Sequence, residues 1–368
     1  ERYLQAIENL SEETKKYCEY QAIKKDQEGK PWYEWEEKLR NRDKEAMEEA
    51  KSRLKEDLDF YLWEQAVFDM QGMALKNYAN QNGVEIIGDM PIYVAYDSAD
   101  VWMHQEMFQL HEDGTPKAVA GCPPDYFAPQ GQLWGNPLYD WERHKKDGYS
   151  WWIERMRYAL RIFDCVRVDH FRGFDEYWAV PYGDKTAENG TWCPGPRMDL
   201  FNAIKNELGD LPIIAEDLGT MTQGVIDLRN ASGFPGMKIL GFAFDSAEEN
   251  DYLPHTYDKN CVVYTGTHDN DTIVGWFEKA KEEDKQFARD YLNSTNDANI
   301  HWDAIRGAWS SVANIAIAPI QDFLGLGSYA RINTPGLASG NWQWRLKPNQ
   351  LTDELAQNIA KLTKIYSR

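Results

Sequence analysis

The chain holds 368 residues, 42% of them hydrophobic, which is enough for a buried core larger than most single domains carry. Its formal net charge of −20 repels nucleic-acid phosphates and anionic lipid headgroups, which argues against both as partners. A neutral ligand such as a carbohydrate meets no such barrier.

Residues 1–64 are rich in Glu and Lys, with apolar positions at helical spacing, as in Leu54, Leu58 and Tyr61. Gly29-Lys30-Pro31 marks a turn in this run. A further helix is expected over 65–82, with Ala66, Met70, Met73 and Tyr78 near one face and Gly83 at its C-terminal cap. Six short apolar runs then read as buried strands: 84–87, 165–171, 213–216, 238–244, 261–265 and 312–319. Amphipathic helices fall between them, over 151–163, over 200–208 with Gly209 as its stop, and around Trp302, Ile305 and Trp309. The stretch 96–150 is long, irregular and rich in Gly, Pro and aromatics, and is expected to pass over the mouth of the fold.

Alternating strands and helices predict an α/β fold with a parallel sheet, best a (β/α)8 TIM barrel. Asp89, Asp169, Glu216, Asp245, Asp269 and Asp322 crowd the C-terminal ends of the strands, the catalytic face of such barrels. A doubly wound open sheet fits less well, because no Gly-rich phosphate loop follows a strand. A closed barrel needs eight strands, so two are expected in an N-terminal part outside this sequence. The expected organisation is a helical insertion subdomain at 1–64, a barrel helix and strand at 65–95, a loop-rich insertion at 96–150, and the remaining barrel at 151–368.

The five cysteines, Cys18, Cys122, Cys165, Cys193 and Cys261, are odd in number and form no CxxC pair. They suit a reducing compartment with neither a disulfide framework nor a zinc site. No apolar run spans a membrane and no signal peptide is visible, so a cytoplasmic location is expected, or a plastid in a plant. Because Glu1 rather than Met opens the sequence, the missing signal carries little weight. Fifteen Trp, 20 Tyr and 14 Phe include several among polar and Gly/Pro neighbours. Of these, Trp134, Tyr139, Trp141 and Trp192 are the better candidates for stacking on sugar rings, although core packing is the commoner use of any one aromatic.

Three segments could carry chemistry. In Arg167-Val168-Asp169-His170-Phe171-Arg172, strand alternation puts Arg167 and Asp169 on one face. A guanidinium beside a carboxylate keeps it ionised, as a nucleophile requires. From these six residues alone, a purely structural ion pair explains them as well. In Ile213-Ile214-Ala215-Glu216-Asp217-Leu218-Gly219 a carboxylate ends an apolar strand, where partial burial of Glu216 suits a general acid and Asp217 could cap a helix. In Thr265-Gly266-Thr267-His268-Asp269-Asn270-Asp271-Thr272 a His–Asp pair suits a substrate clamp, and Asp271 could cap the following helix. A metal there is disfavoured because no second His or Cys cluster accompanies His268.

These segments together resemble the 4-α-glucanotransferases of glycoside hydrolase family 77, the amylomaltases of the α-amylase clan. The resemblance extends over Ile87–Trp102, Pro123-Pro124-Asp125-Tyr126-Phe127, Gly131–Tyr139, Arg167–Phe174, Ala215–Gly219, Thr265–Thr272 and Asn333-Thr334-Pro335-Gly336. It implies transfer of α-1,4-glucan segments through a covalent intermediate, with Asp169 as nucleophile, Glu216 as acid/base and Asp269 stabilising the transition state. It further implies that Arg167 and His268 bind the reacting glucose, that Asp89 is a substrate-binding residue, and that Asp125, Tyr126 and Phe127 reach over the acceptor side. Trp134 and Asn136 would line the same groove, with Asp245 and Asn333 as further substrate contacts. Donors would be α-1,4-glucans and maltooligosaccharides, acceptors glucose or glucan, with no cofactor or metal. The family's N-terminal segment, which supplies the first two barrel strands, finds no match here.

Two rivals remain at this stage. A hydrolase of the amylase kind would share the acids but release chains to water. A non-catalytic glucan-binding protein would have no need of Asp169, Glu216 and Asp269 together.

Overall fold

The computed structural model describes residues 2–124, 128–219, 221–247, 250–337 and 339–368. The chain divides into two compact units, Glu1–Ile213 with Met221–Ser232, and Ile214–Thr220 with Gly233–Arg368.

The first unit opens with helices. Ser11 caps Glu12–Asp26 by accepting from the Thr14 N–H, and Asp43 caps Lys44–Arg53 by accepting from the Ala46 N–H. The two helices expected on either side of residue 64 are one, a continuous 27-residue helix over Lys55–Gln81. Nothing between Leu58 and Ala66 breaks a helix, so the apolar spacing continues through that point. Its C-terminus is as expected. Gly83 has φ +72, its N–H donates to Asn80 O, and the Val84 N–H reaches back to Ala79 O, which satisfies the last carbonyls.

Six strands of the first unit follow: β1 (Ile87–Met90), β2 (Ala118–Cys122), β3 (Gln132–Pro137), β4 (Cys165–Val168), β5 (Glu176–Pro181) and β6 (Thr191–Pro194). β1 pairs in parallel with β4, Gly88 opposite Val166 and Asp89 opposite Arg167. The strand begins three residues later than the apolar run Val84–Ile87 suggests, because Ile86 spends its N–H on the Asp164 carboxylate and its carbonyl on Asp164 and Cys165. Gly88 is required at its place. A Cβ there would lie 2.1 Å from Cδ2 of Phe163, whose ring occupies the space. On its other side β4 meets the approach to β7 (Ile213–Ala215): the Val166 N–H donates to Pro212 O at 2.9 Å.

β3, β2, β5 and β6 form an antiparallel sheet in that order. It was not foreseen, and it orders part of the stretch expected to be irregular. Its strands are short and carry Gly, Pro and polar residues, so period-two patterning is faint. Beside it lies an aromatic layer of Phe108, Tyr139, Trp141, Trp151, Trp152 and Phe174, with ring centroids 4.9–6.2 Å apart. Each buried ring contributes roughly 2–3 kcal/mol of apolar burial. Arg155 sits against Trp151 and Trp152, 5.3 and 5.0 Å from their centroids, and donates to Pro91 O and Ile92 O. The Tyr139 hydroxyl donates to the same Ile92 carbonyl at 2.6 Å. The turn after β1 is thereby held from two sides.

The second unit contains the end of β7, then β8 (Gly236–Ile239), β9 (Cys261–Tyr264) and β10 (Ile315–Ile317). β8, β9 and β10 are parallel, with β9 central and fully buried. The Ala215 N–H donates to Pro235 O at 2.9 Å, which sets the end of β7 beside the start of β8. Helix Ile300–Trp309 buries Ile300, Ala304, Ile305 and Ala308, the i, i+4, i+5, i+8 face its sequence shows, against Val263, Phe277 and Leu362. Each of the six apolar runs overlaps a strand: β4, β7, β8, β9 and β10 are shorter than their runs, whereas β1 is as long as its run but shifted, sharing only Ile87 with it. Residues 240–242, expected as strand, turn into a 3-10 segment.

Candidate functional site

In the first unit, alternation along β4 puts Arg167 and Asp169 on one side while Val166 and Val168 are buried on the other. The parallel register with β1 adds Asp89. The Arg167 side chain is 9% exposed and donates Nη1 to Asp89 Oδ1 at 2.7 Å and Nη2 to Asp169 Oδ1 at 2.9 Å, with carboxylates 42% and 44% exposed. A single buried cation therefore orients two accessible carboxylates, as a planar guanidinium can and an ammonium cannot. The Asp169 N–H donates to Met90 O at 2.9 Å, so the backbone of this residue is held as well.

His170 follows in a left-handed conformation, φ 51, which ends the strand and turns the chain. Its imidazole lies 4.8 Å from Trp134 edge-on and 6.5 Å from Tyr93. Burial pushes its pKa down to about 4 against the opposing charge of Asp169, so the ring is neutral at physiological pH. Trp134 is 36% exposed on β3, and Asn136 donates from Nδ2 to Val94 O at 2.9 Å.

The other stacking candidates divide. Trp192 is exposed, with the Arg172 guanidinium 4.2 Å from its centroid. Tyr139 is a correction: it is buried in the aromatic layer, because its hydroxyl finds a carbonyl inside the fold. Trp141 is partly buried in the same layer. Asp125, Tyr126 and Phe127 lie outside the described residues.

In the second unit, Glu216 follows β7 half-buried and accepts the Leu218 N–H on Oε1 at 2.9 Å. Asp217 lies six residues before the next helix, Gln223–Ser232. It is buried and accepts the Met237 N–H at 2.7 Å, tying the end of β7 to β8. Tyr252, which no motif flagged, has its hydroxyl pKa raised first by burial and then by the carboxylates of Asp217 and Glu216. Asp245 is exposed and accepts the Ala247 N–H within its own loop.

The turn after β9 carries His268 and Asp269. Asn270 Oδ1 accepts from the Thr267 N–H and hydroxyl, which fixes the turn locally. Asp269 Oδ1 accepts from Asn333 Nδ2 at 2.5 Å, and Oδ2 lies 3.3 Å from His268 Nε2. Arg331 donates Nη2 to the Asp269 carbonyl at 2.6 Å and Nε to the Asn333 carbonyl at 2.8 Å, while the Asn333 N–H donates to His268 O at 3.1 Å. Sequence reasoning named Asn333 but missed Arg331. The available signal was two polar residues at i and i+2 before Thr334-Pro335-Gly336.

Two further expectations are corrected here. Asp271 does not cap the next helix. Thr272 does, by accepting the Gly275 N–H, while Asp271 binds Ser328 and Lys279. Asp322 does not line an open face. It is 1% exposed and accepts from Thr265 Oγ1 at 2.6 Å and the Ile273 N–H at 2.9 Å, bracing the turn from within. Among the described residues no group of three or more His, Cys, Asp or Glu is arranged to hold a metal ion. Among them, too, no helix is long and apolar enough to cross a membrane.

Comparison with known proteins gives the family of the chain. Residues 2–352 match the family described as 4-alpha-glucanotransferase. The 4-alpha-glucanotransferase of Clostridium butyricum is 50% identical over 339 residues, covering 92% of this chain and 70% of that protein. That of Thermus thermophilus is 46% identical over 359 residues, covering 96% and 72%. An amylomaltase from Streptococcus agalactiae, solved in complex with acarbose, superposes at a TM-score of 0.94 with 40% identity over 96% of this chain and 72% of that one. The fold is thus the (β/α)8-type α/β fold expected from the strand–helix alternation. The chain belongs to the 4-alpha-glucanotransferase family, glycoside hydrolase family 77.

Proposed function

We propose that the glucan transfer of this family is carried in this chain by Asp169 as nucleophile, Glu216 as acid/base and Asp269 as stabiliser of the transition state. The observation that supports this reading most is the buried Arg167 holding both Asp89 and Asp169 by their carboxylates. Desolvating a guanidinium is costly, and here it aims the accessible carboxylate of Asp169.

In the first step Glu216 gives its proton to the glycosidic oxygen as Asp169 attacks the anomeric carbon. The C–O bond to the leaving chain breaks, and a glucanyl ester remains on Asp169. In the second step the 4-hydroxyl of an acceptor attacks that carbon. Glu216 takes the hydroxyl proton, and Asp169 leaves as carboxylate. Both transition states are oxocarbenium-like and distort the sugar ring. Asp269 bonds the sugar hydroxyls more strongly in that geometry, and Asn333 and His268 keep its carboxylate in one orientation.

Donors are α-1,4-glucans and maltooligosaccharides, and acceptors are glucose or glucan. Arg167 and His268 bind the reacting glucose, with Asp89, Asp245 and Asn333 as further substrate contacts. Trp134 and Asn136, together with Asp125, Tyr126 and Phe127, serve the acceptor side, where apolar rings favour sugar over water. Residues 1–64 act as a helical insertion and 96–150 as the covering subdomain, with barrel elements at 65–95 and 151–368. A reducing compartment, the cytosol or in a plant the plastid, suits five cysteines without a CxxC pair.

The test is product analysis from maltotriose. Glucose together with chains longer than maltotriose marks transfer, whereas only shorter products mark hydrolysis. Asp169→Asn abolishes both sugars' appearance; normal turnover by that variant overturns the assignment.

A further inference from the structure

Trp342 departs from what elementary chemistry prefers in two ways at once. The residue is 63% exposed, although an indole gains most by burial. Its backbone has φ 61, the left-handed region that a residue with a bulky Cβ substituent adopts only at a cost. Strain of this kind persists only where the surroundings impose it, and it gathers at ligand-binding places.

The surroundings here do impose it. The Trp342 N–H donates to Ile332 O at 2.7 Å, which ties Trp342 to the backbone beside Asn333. Asn341 Oδ1 accepts the Thr334 N–H at 3.0 Å, and its Nδ2 donates to Leu337 O at 2.9 Å. The base of the loop is tied by Arg331 and Asn333 to His268 and Asp269. The result is an indole 5.1 Å from the His268 imidazole at 40°, with most of its surface left in solvent. A loop needing only to close would do so with Gly or Asn at this position, without an exposed indole.

We infer that Trp342 is a sugar-stacking residue, an aromatic platform for the apolar face of a glucosyl unit next to the one held by His268 and Asp269. The inference rests on the reading of His268 and Asp269 as sugar-holding residues. A pyranose is neutral and amphipathic: its axial C–H face covers an indole while its hydroxyls stay in reach of polar groups. Asn333, His268 and Asp269 supply those polar groups at the foot of the same loop.

The test compares Trp342→Gly with Trp342→Phe by the kinetics of maltoheptaose disproportionation and by thermal unfolding. Glycine relieves the left-handed backbone while removing the ring, so it separates the two roles. Trp342→Gly is expected to raise KM about tenfold, with the larger part of the loss in KM rather than kcat, while Tm holds or rises. Trp342→Phe is expected to recover most of the KM. A parental KM in Trp342→Gly, a fall in its Tm, or a Phe variant no better than the Gly variant would each overturn the assignment. Asp269→Asn in parallel tests the underlying reading separately: full activity there removes the sugar-holding role of that residue, whatever the Trp342 variants do.

Discussion

Arg167 Nη2 lies 2.9 Å from Asp169 Oδ1, and the guanidinium that makes this bond is almost wholly buried while the carboxylate is not. The same guanidinium reaches Asp89 with its other terminal nitrogen at 2.7 Å. Two carboxylates that would repel one another are thus set by one fork. A lysine has the charge but not the fork. Arg167→Lys is expected to lower kcat about 100-fold, since a misplacement of about 1 Å in a nucleophile is enough for that loss. Steady-state maltotriose kinetics measure it. A Lys variant within a few-fold of the parent would show that charge alone suffices.

Asn333 makes the second prediction. Its Nδ2 bonds Asp269 Oδ1 at 2.5 Å, and its backbone bonds His268. Asn333→Ala removes the side-chain bond and leaves the backbone one. A hydrogen bond to a charged carboxylate contributes about 1.5–3 kcal/mol, so kcat/KM should fall roughly 10- to 100-fold with little change in Tm. Asn333→Asp should be worse than Ala, because it sets a second negative charge against Asp269.

Gly88 makes the third. An added methyl would sit 2.1 Å from the Phe163 ring, on the strand that carries Asp89. Gly88→Ala is expected to destabilise by about 1–3 kcal/mol in urea unfolding. Phe163→Leu in the same chain should return part of that loss, since the two residues share one space. Strictly additive losses in the double variant would contradict the steric account.

The fourth concerns acid. His144 is fully buried among Tyr139, Trp141 and Trp151, its Nε2 3.1 Å from Met107 O. Burial pushes its pKa down to about 4. In the unfolded chain an imidazole protonates near pH ~6.5. Below that value the unfolded state binds the extra proton, so stability is full above pH ~6.5 and falls as pH drops towards 4. His170, also held near 4 by burial, adds to the same slope. His144→Phe should flatten the decline of Tm between pH 7 and pH 5. Parallel Tm curves for parent and variant would exclude His144 as a source of it.

Local pattern alone determined much of this protein. The presence of six of the strands, the capping role of Gly83, and the shared face of Arg167 and Asp169 follow from apolar runs, from a glycine after a helical period, and from alternation along a strand. All are decided within a few residues of the chain, where backbone geometry leaves few choices. Only the tertiary structure decided that Arg167 also grips Asp89, 78 residues away, and that Arg331 and Asn333 return to Asp269 from 62 and 64 residues away. It likewise buried Tyr139, turned Asp322 inward, and assembled an antiparallel sheet from four short strands spread over residues 118–194. A hydrogen bond between distant segments leaves no periodic trace in either one. Its partners become neighbours only when the apolar faces around them pack.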